Sequence, residues 1–278
     1  MLLGIDLGFR LSIFVIAALL LLAITATWIV PHDPENAQPQ LRLKDPGGVY
    51  PLGTDHLGRC IFSRLVFGIR ISLFIGLVVV LFSALIGTIL GGAAGYFGGV
   101  LDEAIMRLVD AFLSFPSIFL ALAVIGFLGS GLTNLMLSLI LVEWTGYARL
   151  VRSEVLSLQG REFLEAAKSL GASDLYIMGR HILPNILPSV LVMATLSVGY
   201  AILGAASLSF LGLGVSPPTP EWGSMMNDAR PFIRSHPLMM VFPGTAITVT
   251  VLAFHLLGDG IREKLNPRSE VDKQLQFQ

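Results

Sequence analysis

Five stretches of this 278-residue sequence run for twenty residues or more without an Asp, Glu, Lys or Arg: Leu11–Val30, Ile71–Val100, Ala111–Val142, Ile182–Val215 and Leu238–Leu257. About 20 apolar residues in a helix cross the hydrocarbon core of a bilayer, where each backbone N–H and C=O must be satisfied within the segment. These runs read as helical spans. The 32-residue run Ala111–Val142 is too long for one span, and "GFLGSGL" at 126–132 puts three glycines and a serine in its middle. That composition marks a turn, which splits the run into spans over about 111–128 and 132–150, the latter carrying Glu143. The reading is an all-α integral membrane protein of six helices, with the fifth span starting near Ile186. The first span is too long for the apolar core of a cleaved leader and lacks a clear cleavage site, so it is expected to be retained.

Composition agrees: 54% of residues are hydrophobic and 13% charged, against roughly 45–50% and 25% in soluble domains. A formal charge of −1 offers no footprint for nucleic acid, and the single cysteine, Cys60, cannot form an internal disulfide. Six spans put both termini on one side. Counting Lys and Arg places eleven on the terminal side, including five between Arg149 and Arg180, and seven on the other, so the positive-inside rule puts both termini in the cytoplasm.

Within the second run, Gly87, Gly91, Gly95 and Gly99 recur at every fourth residue. Such a stripe lets another helix approach closely, and packing is preferred here over pore lining. "GGAAGYFGG" is no phosphate cradle, because no Gly-Lys-Ser/Thr follows it. Ionisable residues in or at the ends of spans, Glu143, His255 and Asp259, are candidates for a pathway; His255 and Asp259 also have the spacing of a local pair. The histidines lack metal-ligand spacing and no serine sits in a nucleophile elbow, so no metal site and no catalytic constellation are expected. Between the fifth and sixth spans, Thr219 suits an N-cap and Pro220 a first helical position, followed by Trp222, Met225, Met226 and Ala229 at i, i+3, i+4 and i+7. This is a short amphipathic helix at the outer interface, either an interfacial anchor through Trp222 or a lid or docking edge.

The longest amphipathic segment is "REFLEAAKSLGASDLYIMGRHILPNILP", 161–188. Phe163, Ala166, Ala167 and Leu170 form one apolar face, while Arg161, Glu165 and Lys168 form the other. Gly171 ends this helix, Ser173 caps a second with Leu175, Met178 and Ile182 on one side, and Pro184 stops it. A helix of about eleven residues is marginal alone in water. It therefore docks in a groove on another protein, or lies on its own bundle or on lipid.

Glu165-Ala166-Ala167, then Gly171, then "ILP" at 182–184 resembles the cytoplasmic EAA loop of permease subunits in binding-protein-dependent ABC importers, with His181 standing where the family has its first Ile. "LGTDHLGRCIFSRL" (52–65), "SFLGLGVSPPTPEWGSMMNDAR" (209–230) and "LLGDGIREKLNPR" (256–268) are similar to segments of the peptide and nickel branch, second permease type. Cys60 replaces a common Asp and His255 a common Asn, and "GSGLTN" with "WTGYARLVRSEVLSL" leans toward nickel-type members. The resemblance implies a type I ABC importer permease fold in a bacterial or archaeal plasma membrane, with residues 1–70 as first helix and external loop, and 71–278 as a core containing a coupling loop at about 152–184. It also implies a second permease subunit, two ATPase subunits holding the ATP and magnesium, and an external substrate-binding protein. This chain would bind no cofactor, and 161–171 would be the coupling helix. An ion-coupled secondary transporter is the alternative, but no internal repeat supports it.

Overall fold

A computed structural model describes residues 2–265; Asn266–Gln278, with the counted Arg268 and Lys273 and the end of the last resemblance segment, lie outside the described residues. The regular structure among the described residues is helical, with one isolated β-bridge, Thr54 to Cys60, and loops over most of 30–60 and 211–221. In chain order the helices are α1 (Leu2–Ile29), α2 (Ile61–Phe97), α3 (Gly99–Leu113), α4 (Ser117–Leu128), α5 (Leu132–Leu158), α6 (Glu162–Ser169), α7 (Asp174–Ile177), α8 (Leu183–Phe210), α9 (Trp222–Ala229) and α10 (Leu238–Leu265). Four, namely α1, α2, the continuous helix 174–210 and α10, are long and apolar enough to cross a membrane, and the bent pair α3 and α4 makes a fifth candidate. Helix α5, at 27 residues, is long enough, but Arg149, Arg152 and Glu154 make its C-terminal half polar.

The centre of the bundle is the crossing of α2 and α5. A Cβ added at Gly87 would lie 2.6 Å from the Trp144 carbonyl oxygen, one at Gly91 2.8 Å from the Ala148 Cα, and one at Gly95 2.9 Å from the Val155 Cβ. Three glycines thus let two backbones touch, as the stripe predicts. Gly99 does not belong to it. Gly98 and Gly99 have φ of +65° and +56°, which ends α2, and a Cβ on Gly99 would meet nothing within 4 Å.

Two spans differ from the sequence reading. The third is not straight: Pro116 biases Phe115 out of the helical region, and α3 and α4 meet at 90°. Twelve residues make α4 about 18 Å long, short of the roughly 30 Å hydrocarbon core. Helix α3 carries Asp102, which accepts from Nε and Nη2 of Arg152 at 2.5 and 2.6 Å, and Asp110, 2.9 Å from Arg149. The second span begins at Ile61, ahead of its charge-free run, because its arginines are partnered. Arg70 donates from Nε to the Ala23 carbonyl and from Nη2 to that of Ile24 at 2.9 Å, in the closing turns of α1, where the helix dipole favours a cation.

Pro184 does not stop the helix that Ser173 begins. A π-helical turn over Met178–Ile182 widens the backbone, and wide turns of this kind accommodate a residue without an N–H. Pro184 then sits in the first turn of α8. Around this frame α1 is peripheral, with Trp28 81% exposed, as a helix facing lipid would be.

Candidate functional site

Helix α6 stands at the end of the bundle where α2, α5 and α8 converge. Its apolar residues do not form a single face. Leu164, omitted from the sequence reading, and Ala167 point inward and are buried in the main core. Phe163, Ala166 and Leu170 point outward, Leu170 at 88% exposure, and Leu175 and Tyr176 of α7 continue the exposed apolar surface. The reason is geometric: 163, 166 and 170 share one side of the cylinder, and 164 and 167 lie about 100° round it. In α7 and the π turn, the inward residues are Ile177 and Ile182, whereas Leu175 is exposed.

The terminal chemistry is as the residue types suggest. The Gly171 N–H bonds the Lys168 carbonyl at 2.9 Å and the Ala172 N–H that of Ala167 at 3.1 Å, with Gly171 at φ +78°, a Schellman closure. Ser173 caps α7 by accepting from the Tyr176 N–H at 3.4 Å. Arg161 is the N-cap residue of α6, and Glu165 pairs with Lys168 at 3.6 Å rather than with Arg161. The segment is tied to the spans by Gln159 Nε2, which donates to the Gly95 carbonyl at 2.6 Å, and by the Tyr96 hydroxyl, 2.7 Å from Asp174 Oδ1.

Farther along α5, Glu143 lines an open cavity of about 510 Å³ between α4, α5 and α8. Met193, Ser197, Tyr200, Gly204 and Ser207 present one helical stripe to it. Behind Tyr200, the His255 ring meets it edge to face at a centroid distance of 4.8 Å. His255 Nδ1 contacts the Val251 carbonyl oxygen at 2.9 Å rather than pairing with Asp259, which is exposed. The structure thus places Glu143 in the wall of the cavity and His255 against the lining Tyr200, and leaves Asp259 outside it.

At the opposite end, α9 is not capped by Thr219. Glu221 is the N-cap, its carboxylate accepting from the N–H groups of Gly223 and Ser224 at 2.8 Å each; it is wholly buried, which pushes its carboxyl above the ordinary value. Nor is Trp222 an interfacial anchor. It is 1% exposed, lies over Gly68 and donates from Nε1 to the Leu65 carbonyl at 3.1 Å. Met225 is buried and Met226 half-buried. The space for an indole that Gly68 leaves on α2 decides the orientation.

A buried charge network that the sequence reading did not assemble fastens α9 to the loop after α1. Arg59 Nε lies 2.6 Å from Asp55 Oδ2 and its Nη2 2.8 Å from Asp228 Oδ2. Arg64 Nη1 reaches the carbonyls of Pro34 at 3.0 Å and Pro218 at 3.1 Å. The signal was present, since charges inside otherwise apolar segments need partners. Asp55, His56 and Asp228 have ligand atoms close enough for one metal ion, but the residues do not fit that use. Asp55 Oδ1 already accepts from the N–H groups of Leu57 and Arg59, and Arg59 bridges both carboxylates, so a cation would have to displace a guanidinium.

Residues 85–271 match the family model described as "Binding-protein-dependent transport system inner membrane component". The chain is 45% identical over 258 residues to the nickel transport system permease protein NikC of Escherichia coli (strain K12), covering 93% of each chain. It is 46% identical over 253 residues to the glutathione transport system permease protein GsiD of Pectobacterium atrosepticum, covering 90% of this chain and 84% of that one. Among solved structures, a chain of the inward-facing MetNI methionine ABC transporter superposes with a TM-score of 0.57 at 21% identity, over 73% of this chain and 96% of that chain, a likeness of fold. The bundle, the helix rooted at its end and these matches together establish that the chain belongs to the binding-protein-dependent transport system inner membrane components, as a multi-pass permease subunit of the ABC importers in their peptide and nickel branch.

Proposed function

We propose that this permease and a second permease subunit together form the pathway of an ATP-driven importer for short peptides or for nickel, as ion or chelate, and that α6 is its coupling helix. Two cytoplasmic ATPase subunits hold the ATP and magnesium, and an external binding protein delivers the cargo. The observation that carries this reading is the division of α6: Leu164 and Ala167 are buried in the bundle while Phe163, Ala166 and Leu170 are exposed. A partner that grips the exposed side moves the buried side with it. Gln159 and Asp174 pass that displacement to α2, and the helix continuous from α7 passes it to α8. ATP-driven closure of the ATPase pair would then rock the spans between outward-open and inward-open states.

Six crossings, with the bent pair as the third and α5 as the fourth, would put both termini on the cytoplasmic side. Lys264 Nζ lies 3.9 Å from the centre of the Phe9 ring, so the start of α1 and the end of α10 share one end of the bundle, and Arg262 lines a cavity with Glu154 of α5 at that same end. In this reading the first helix and its loop, to about residue 70, are added to a core comprising the rest of the chain. Peptide and nickel both stand as cargo because the named relatives transport glutathione and nickel.

Ala166→Asp is the test. A charge at the centre of the exposed face is solvated in the free subunit but desolvated in a groove, at several kcal/mol if it stays ionised. The variant should accumulate normally, lose its ATPase subunits on purification and lose cargo-stimulated ATP hydrolysis. Wild-type transport with both ATPases retained would remove α6 from the coupling role.

A further inference from the structure

We infer that Glu143 selects for positive charge on the cargo, as the cation-recognising group of the cavity between α4, α5 and α8. The inference rests on the conduit reading above. Glu143 lies eleven residues into α5, about 16 Å along its axis, half-buried in the wall of the cavity. Among the described residues its carboxylate forms no ion pair and no hydrogen bond. Four other acidic residues of the described chain contrast with it in being paired: Asp102 with Arg152, Asp110 with Arg149, and Asp55 and Asp228 with Arg59. An unpaired carboxylate at such depth is costly, and ionisable groups held there serve a function by default.

The surroundings suit a transient cation. The wall is largely apolar, so water screens poorly and a charge arriving beside Glu143 is attracted more strongly than in bulk solvent. Tyr200 turns an exposed ring to the cavity and is braced from behind by His255, and an aromatic face adds a cation–π contribution. The hydroxyls of Ser117, Ser197 and Ser207 also line the cavity and supply neutral oxygen acceptors. Its volume of about 510 Å³ admits a dipeptide or a chelated ion. The recognised chemistry is a compact positive centre met by one carboxylate and neutral oxygen donors, supplied either by the ammonium of a short peptide, which the oxygens accept hydrogen bonds from, or by a divalent metal cation, which they ligate.

The test uses the assembled importer with its binding protein in proteoliposomes, assayed for ATP-dependent uptake of nickel(II) and, separately, of dialanine. Glu143→Gln, recovered with all subunits in normal stoichiometry, should slow uptake of whichever cargo the wild type carries at least tenfold, and Glu143→Asp should restore at least a third of it. Loss confined to nickel identifies a metal cation, and loss of dialanine uptake identifies an ammonium. Glu143→Gln uptake within twofold of wild type, a loss that aspartate does not restore, or failure of the complex to assemble would each overturn the inference. Wild-type uptake of neither cargo would instead sink the conduit reading on which it rests.

Discussion

Helices α6 and α9 are both eight residues long, both space their apolar residues three and four apart, and both sit at an end of the bundle, yet one is seated and the other displayed. In α9 the indole, Met225 and Ala229 are buried, the first turn is capped by a buried carboxylate, and Arg59 ties Asp228 to the preceding loop. In α6 only Leu164 and Ala167 are buried, and the charged pair Glu165–Lys168 is exposed on both sides. Exposed pairs of that kind contribute little. The lesson is that an amphipathic period specifies a side, but not what covers it; at α9 the cover is this chain's own arginines and Gly68, and at α6 an apolar side is left over.

The comparison can be broken most severely at Arg59. Arg59→Ala takes the shared cation from Asp55 and Asp228 and leaves the buried Asp55 only Arg64 Nε, 3.7 Å away, which should cost about 3 kcal/mol, read as a fall in the detergent unfolding midpoint and in membrane abundance. A loss below about 1 kcal/mol would mean that packing alone seats α9. Next is Leu164→Ala. Truncating a buried leucine at the rim of the core should cost about 2 kcal/mol and, unlike Arg59→Ala, should raise hydrogen exchange in α6 while leaving α9 protected.

A smaller effect separates the two caps. The folded-state carboxyl of Glu221 is raised above its ordinary 4.5 by burial, so its contribution to stability is fully present below that value and is lost as pH rises through the raised one. The wild-type unfolding midpoint should therefore fall relative to that of Glu221→Gln as pH is increased from about 4 to 8; parallel curves would show that the cap is not proton-linked. Smallest of all in stability is Phe163→Ala, within about 0.5 kcal/mol for an exposed position. Its expected signature is weaker retention of the ATPase subunits, and a stability loss comparable to that of Leu164→Ala would mean that Phe163 belongs to the core.

Much of this protein was legible in advance. Charge-free runs marked the apolar spans, Gly87, Gly91 and Gly95 marked the crossing with α5, and Gly171 and Ser173 marked the helix ends at 169–174, because each depends on local composition or on backbone conformation that only certain residues adopt. The bend at Pro116 could have been anticipated from the bias a proline imposes on the residue before it. The continuation through Pro184 could not, since a π turn is a cooperative adjustment of five residues rather than a property of one.

What the sequence determined by itself, then, was the solvent and the period: hydrophobic run length sets how many helices lipid can hold, and spacing sets which residues share a side. Only the tertiary structure decided which sides met. Trp222 was buried because Gly68 left room for an indole, Leu164 displaced Phe163 from the core because it stood nearer the α2, α5 and α8 junction, and Arg59 lost its cost in an apolar setting because Asp55 and Asp228 converged on it from 4 and 169 residues away. Those outcomes rest on distances between groups remote in the chain, which no window of sequence contains, and the same is true of Glu143: its place in α5 could be read from the sequence, but its lack of a partner, and the cavity in front of it, exist only once α4, α5 and α8 are packed.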